Sequence, residues 1–183
     1  MPKNRVLFLD RDGVVNVDRG FVHNRDQFEF MPGLFPFLRA ARDDGFRLAI
    51  VTNQSGVARG LYTERDYEAL TEWMLAALGK EGVSIDLVLA CFEHKDGAVD
   101  TYRRESFWRK PNPGMILEAA QRLRADLPRS AMIGDNERDA LAARTAGVGK
   151  ILLFYPEGRK SPFEWADTAG NFEEIAKKLE LKK

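Results

Sequence analysis

Short, nearly uninterrupted aliphatic runs alternate along this chain with longer segments whose apolar residues recur at helical spacing. That alternation leaves few architectures open. Arg5–Leu9, Arg47–Val51, Asp86–Ala90, Ala131–Ile133 and Lys150–Phe154 read as strands. Leu34–Arg42, Glu64–Leu78 behind a Thr63 cap, Met115–Leu127 after Pro113-Gly114, Arg138–Ala146 before Gly147, and Phe172–Leu181 read as helices. Strands that are apolar along their whole length, joined by helices, predict an α/β fold in three layers, with a central parallel sheet covered on both faces. At 183 residues, 44% of them hydrophobic, the chain is expected to form one domain over 1–183.

In such sheets ligands bind beyond the carboxyl ends of the strands. The polar clusters obey that rule. Asp10 and Asp12, Thr52-Asn53-Gln54-Ser55, and Asp135 with Asp139 each follow a predicted strand directly. Two acids one residue apart at the end of a buried strand are costly unless something there needs them. The reading is a divalent cation, with Asp10 attacking an electrophile and Asp12 handling the proton. A calcium loop of the EF-hand type would need a ligand at its fifth position and Glu at its twelfth. Those positions hold Val14 and Phe21.

The second cluster offers hydroxyl, amide and backbone N–H donors of the kind a phosphoryl group requires. Ser55-Gly56 alone would also satisfy a plain turn with a helix cap. Arg109-Lys110 is either a solvated surface pair or, beside a carboxylate nucleophile and a phosphate, the cation that screens their repulsion. Asp135 would cap a helix in any protein, and the second acid favours a metal. Asp139 then either supports the metal's outer shell or ties down backbone. His23 and His94 read as ordinary loop or surface residues, and Cys91 as packing at a strand end.

Lys+Arg 28 against Asp+Glu 28 argues against a nucleic-acid or membrane-surface partner, while leaving room for a local basic pocket. The one cysteine allows no internal disulfide and fits a reducing compartment. The apolar run Val6–Leu9 is too short for a signal peptide or membrane span. The expectation is a soluble cytoplasmic protein.

The ordered set Asp-x-Asp-Gly, strand-Thr-Asn, Lys-Pro and Gly-Asp-(x)3-Asp resembles the haloacid dehalogenase superfamily of phosphohydrolases. Phe8–Asn16, Val17–His23, Phe28–Phe30, Val51–Gly60, Thr71–Met74 and Arg109–Met115 narrow the likeness to its histidinol-phosphate phosphatase subfamily, and within it to members that act on heptose 1,7-bisphosphate. The resemblance implies a Rossmann-like, capless fold, since the stretch between Asp12 and Thr52 has no room for a large cap. It implies Mg2+, held by Asp10, Asp12 (through its backbone carbonyl) and Asp135. Asp10 would be the nucleophile and Asp12 the acid, then the base. Thr52 and Lys110 would steady the transferring group, and Asn53 would orient the nucleophile loop. Asp18, Arg19, Gly20, Phe21, Thr52, Asn53, Gln54, Ser55, Arg109 and Lys110 would contact a small sugar phosphate. The implied product is a heptose 1-phosphate ready for nucleotide activation toward lipopolysaccharide, capsule or another surface glycan. The expected protein is a monomer with neither nucleic-acid nor membrane partner.

Two positions depart from the family pattern. Where it carries a zinc loop of Cys-x-His and Cys-x-Cys, this chain has Cys91-Phe92-Glu93 and Ser106-Phe107-Trp108. One cysteine cannot build a sulfur-rich tetrahedral site, so no structural zinc is expected, and Tyr102, Phe107 and Trp108 are expected to pack the loop instead. Asn136 stands where the family tends to have lysine. Two rival readings are the same chemistry on histidinol phosphate or another small monoester, and a non-catalytic sugar-phosphate binder.

Overall fold

Leu7 and Leu9 of the first strand belong to one apolar core, and Val6 and Phe8 to another. This is the period-two alternation of a strand buried on both faces. The computed structural model describes residues 3–182, so residues 1, 2 and 183 of the expected 1–183 span lie outside the described residues. Strands β1 (Arg5–Leu9), β2 (Phe46–Asn53), β3 (Leu87–Cys91), β4 (Ala131–Gly134), β5 (Lys150–Phe154) and β6 (Asp167–Ala169) form one parallel sheet in the order β3-β2-β1-β4-β5-β6.

Helices α1 (Leu34–Asp43), α2 (Glu64–Lys80) and α5 (Phe172–Lys178) close one face over Leu7, Leu9, Leu48 and Ile50. Helices α3 (Gly114–Leu123) and α4 (Glu137–Ala146) close the other over Val6, Phe8, Ala49 and Val51. Each of these fully buried Val, Leu, Ile or Phe side chains contributes about 1.5–3 kcal/mol by leaving water. The Thr63 cap of α2 is present, and with Asp66 it forms a capping box.

Several boundaries differ from the sequence reading. β2 runs on to Asn53, so Thr52 and Asn53 lie in the strand end rather than after it. α3 stops at Leu123 because Arg124 takes a left-handed conformation, and Leu127–Arg129 is a separate 3-10 turn. α5 ends at Lys178, three residues early. β6, a three-residue edge strand paired to β5, carries no aliphatic run and escaped the periodicity argument.

The order of the sheet reverses at β1: β2 and β3 lie on one side of it, β4 to β6 on the other. The crevice at that reversal, beyond the strands' carboxyl ends, is where side chains of β1, β2 and β4 converge.

Candidate active site

Asp10 continues the line of β1: its N–H donates to the Ile133 carbonyl at 3.0 Å, one step past the ladder with β4. The chain then turns tightly about the Arg11 carbonyl, which accepts from the N–H groups of Val14, Val15 and Asn16. Asp10 Oδ1 accepts from the Arg11 N–H at 2.8 Å and sits 2.9 Å from Lys110 Nζ. Oδ2 makes no hydrogen bond among the described residues.

Lys110 is 1% exposed, and three partners hold its ammonium. It donates to the Val51 carbonyl at 2.7 Å and pairs with Asp10, and with Asp139 Oδ1 at 2.7 Å. Burial alone would favour loss of its proton, but the two carboxylates outweigh it and raise its pKa. The Asn53 amide grips the backbone of Lys110 reciprocally, donating to its carbonyl at 3.0 Å and accepting from its N–H at 3.1 Å. Asn53 therefore fixes the lysine loop and not, as expected, the nucleophile loop.

Asp135 follows β4 but caps nothing. Asn136 is the N-cap of α4, accepting from the Arg138 N–H, and Asp139 Oδ2 accepts from the Asn136 N–H at 3.0 Å. The residue at the family's lysine position is thus occupied in starting a helix, and Asp139 takes one of the two roles the sequence left open, tying down backbone, while its Oδ1 lies 2.7 Å from Lys110 Nζ.

Asp10, Asp135 and Asp139 each bring a carboxylate oxygen within 4.8 Å of the others, the one such group among the described residues. Burial, with the neighbouring acids, pushes Asp135 up to about 8, and burial pushes Asp10 up to about 6 despite Lys110. Asp135 Oδ1 is buried without a hydrogen-bond partner. Gly13, at φ 85°, leaves room for this carboxylate: a Cβ there would lie 2.3 Å from Asp135 Oδ2. Since Lys110 and the Asn136 N–H engage Asp139, Asp10 and Asp135 remain for a cation, and hard carboxylate oxygens suit Mg2+.

Above these residues opens a cleft of about 350 Å3. Asp12, Asp18, Gly20, Phe21, Gln54, Ser55 and Arg109 line it with Asp10, Asn53 and Asp135, while Thr52 and Lys110 are buried at 1% exposure. Arg19 is not among the lining residues; it pairs with Glu29 at 2.5 Å on the exposed surface. The sequence reading missed Arg59, Tyr62, His94 and Arg138, which also line the cleft. His94, read as an ordinary loop residue, sits 3.3 Å from Arg59, and burial together with Arg109 and Arg59 lowers its pKa, so it is neutral near pH 7. Three arginines, Arg59, Arg109 and Arg138, line the cleft together with the acids Asp10, Asp12, Asp18 and Asp135.

In the loop that replaces the family's zinc site, Cys91 is buried at the end of β3, and burial first, then Glu93, pushes its thiol up to about 11. Glu93 in turn pairs with Arg104 at 2.9 Å. Tyr102 holds the loop as expected: its hydroxyl donates to Glu64, its ring meets Phe92 edge-on, and its carbonyl accepts from the His94 N–H. Trp108 packs against the core, but Phe107 is 61% exposed and does not act as packing. Its carbonyl, which accepts from the Gly114 N–H, contributes instead.

A family model described as haloacid dehalogenase-like hydrolase matches residues 4–147. The chain is 46% identical over 151 residues to D-glycero-alpha-D-manno-heptose-1,7-bisphosphate 7-phosphatase of Burkholderia mallei, covering 82% of this chain and 80% of that one. It is also 46% identical to D-glycero-beta-D-manno-heptose-1,7-bisphosphate 7-phosphatase of Escherichia coli K12 over 147 residues, 80% of this chain and 77% of the relative. Among solved structures, D,D-heptose 1,7-bisphosphate phosphatase from B. bronchiseptica, complexed with magnesium and phosphate, superposes with a TM-score of 0.81 at 30% identity, over 96% of this chain and 97% of that one. The parallel sheet, the acids at its reversal point and these similarities agree: the chain belongs to the haloacid dehalogenase-like hydrolase family.

Proposed function

We propose that this chain is a Mg2+-dependent phosphatase that removes the 7-phosphate of D-glycero-D-manno-heptose 1,7-bisphosphate, acting as a cytoplasmic monomer. One observation carries the reading: a buried ammonium, Lys110, lies between Asp10 and Asp139 beside the unpartnered carboxylate oxygen of Asp135. A carboxylate nucleophile, a fixed cation and acids fit for a second cation are what an anion attacking an anion requires.

Asp10 attacks phosphorus as the bond to the C7 oxygen breaks, and the departing alkoxide takes a proton from Asp12. Asp12 then accepts the proton of the water that attacks the aspartyl phosphate, and inorganic phosphate leaves with Asp10 restored. The Thr52 hydroxyl accepts from Gln54 Nε2 at 2.9 Å. Its own hydrogen is therefore free to donate to the phosphoryl oxygens, next to Lys110. Asp10, Asp135 and the Asp12 carbonyl would hold Mg2+, which supplies charge neutralisation between nucleophile and phosphate. Arg109, with Arg59 and Arg138 in the same cleft, suits the second phosphate of the sugar. Phosphate monoesters hydrolyse so slowly that the site must lower the barrier by more than about 20 kcal/mol.

Steady-state kinetics on the α and β heptose bisphosphates and on histidinol phosphate test the proposal. The expected result is a kcat/KM for one or both bisphosphates at least about a hundredfold above histidinol phosphate, abolished by chelation. Equal efficiency on histidinol phosphate, or full turnover in chelator, would overturn it.

A further inference from the structure

The Asp12 carboxylate is not a free side chain at the cleft edge. Oδ2 accepts from Gln54 Nε2 at 2.8 Å, Oδ1 accepts from Asn16 Nδ2 at 3.0 Å, and both oxygens accept from the Arg11 guanidinium. A carboxylate accepts only, so Gln54 must face it with its amide nitrogen, and that leaves Gln54 Oε1 in need of a donor. The Tyr62 hydroxyl supplies one at 2.5 Å. Tyr62 is 7% exposed and closely enclosed. His23 stacks on its ring at 5.1 Å, with the planes 9° apart. The backbone of Gly56 comes so close that a Cβ would lie 2.0 Å from Tyr62 Cε1.

We propose that Tyr62 is a positioning residue for the acid-base step: through the Gln54 amide its hydroxyl keeps Asp12 aimed at the leaving oxygen. The proposal rests on the reading of Asp12 as proton donor to that oxygen. Tyr62 touches neither the reacting atoms nor Asp12 itself. Burial pushes its phenol up to about 12, so it stays a donor across the working range of a cytoplasmic enzyme. Freed of this hydroxyl, the Gln54 amide can rotate and present Oε1, which repels the ionised Asp12 and draws the proton of its acid form away from the leaving oxygen. Asp12 then loses one of its three anchors, and the phosphoryl group still transfers to Asp10 but with poorer proton delivery to the alkoxide.

The leaving group separates positioning from general structural damage. A sugar alkoxide needs a proton as the P–O bond breaks; p-nitrophenolate does not. Because kcat/KM covers the steps up to formation of the aspartyl phosphate, it isolates the first use of Asp12. For Tyr62→Phe, which keeps the ring, kcat/KM on the heptose bisphosphate is expected to fall about tenfold, a part of the roughly 10²–10⁴ that general acid catalysis contributes, with under about twofold change on p-nitrophenyl phosphate. Gln54→Met cuts the same relay in its middle but also removes the Gln54 Nε2–Thr52 hydrogen bond, so it is expected to lower kcat/KM on both substrates, and more on the heptose bisphosphate. Tyr62→Phe added to Gln54→Met should then cost nothing more.

Equal losses on both substrates, or additive effects of the two substitutions, would overturn the assignment. Asp12→Ala serves as the reference. If it spares the aryl phosphate while Tyr62→Phe does not discriminate, the Tyr62 assignment alone falls. If Asp12→Ala damages both substrates alike, the acid-base reading falls and takes the Tyr62 assignment with it.

Discussion

Replacing Lys110 by methionine removes the one ammonium buried among the site's acids while keeping much of the side chain's volume. In the structure Nζ stands 2.9 Å from Asp10 and 2.7 Å from Asp139. At an effective dielectric near 20, each contact is worth about 6 kcal/mol of gross attraction. Desolvation of three buried charges consumes most of that, so the net cost of breaking the cluster is about 3–5 kcal/mol. For a chain of this size that corresponds to a melting point lower by roughly 6–20 °C. The loss should be largest without metal, because no cation then stands among Asp10, Asp135 and Asp139, whose carboxylate oxygens lie within 4.8 Å of one another. Mg2+ should restore more stability to Lys110→Met than it adds to the wild type, since a divalent cation replaces the missing charge. Turnover should stay down by about 10²–10³, because the fixed cation that screens Asp10 from the phosphoryl group is gone. Thermal melts with EDTA and with Mg2+, paired with steady-state assays, read all three quantities. A metal-free melting point equal to that of the wild type, or identical Mg2+ shifts in the two proteins, would refute the electrostatic account.

Other expectations follow from the same geometry. Asp135, pushed up to about 8, keeps a proton in the folded state that the unfolded chain releases near 3.8. Its contribution to metal-free stability is therefore complete below 3.8 and is lost as pH rises to about 8. Asp135→Asn should thus raise the melting point in EDTA at about pH 8 but not near pH 4, while removing the Mg2+ response, as thermal melts at both pH values will show. Asn136→Ala removes the cap of α4 and should cost about 1 kcal/mol, measurable by urea denaturation. Arg109→Lys loses the planar fork, and KM for the bisphosphate should rise by about tenfold or more, beyond any change for a monophosphate.

The strands and the site's acids were legible because they follow local rules. An aliphatic run ending in a carboxylate is readable without knowing what packs on it, so Asp10, Thr52 and Asp135 fell at the right sheet edge. What the sequence hid depends on contacts far apart in the chain. Arg11 looked like a spacer between two acids, yet it is 1% exposed and binds both Asp12 and the Val22 carbonyl. Tyr62 and His94 reach the cleft on loops whose paths no periodicity encodes. Asn53 was given to the wrong loop because its partner lies 57 residues away. Arg19, between Asp18 and Gly20 of the cleft lining, faces Glu29 since a single turn of the chain decides which neighbour enters the cleft.

In the proposed reaction the side chain of Asp10 carries the phosphoryl group between its two transfers. Borohydride reduces an aspartyl phosphate to homoserine, so quenching the working enzyme with borohydride and mapping its peptides by mass spectrometry tests this directly. Homoserine at position 10, dependent on substrate and Mg2+, is the expected result. An unmodified Asp10 under conditions where phosphate is being released, or a modified residue elsewhere, would contradict it.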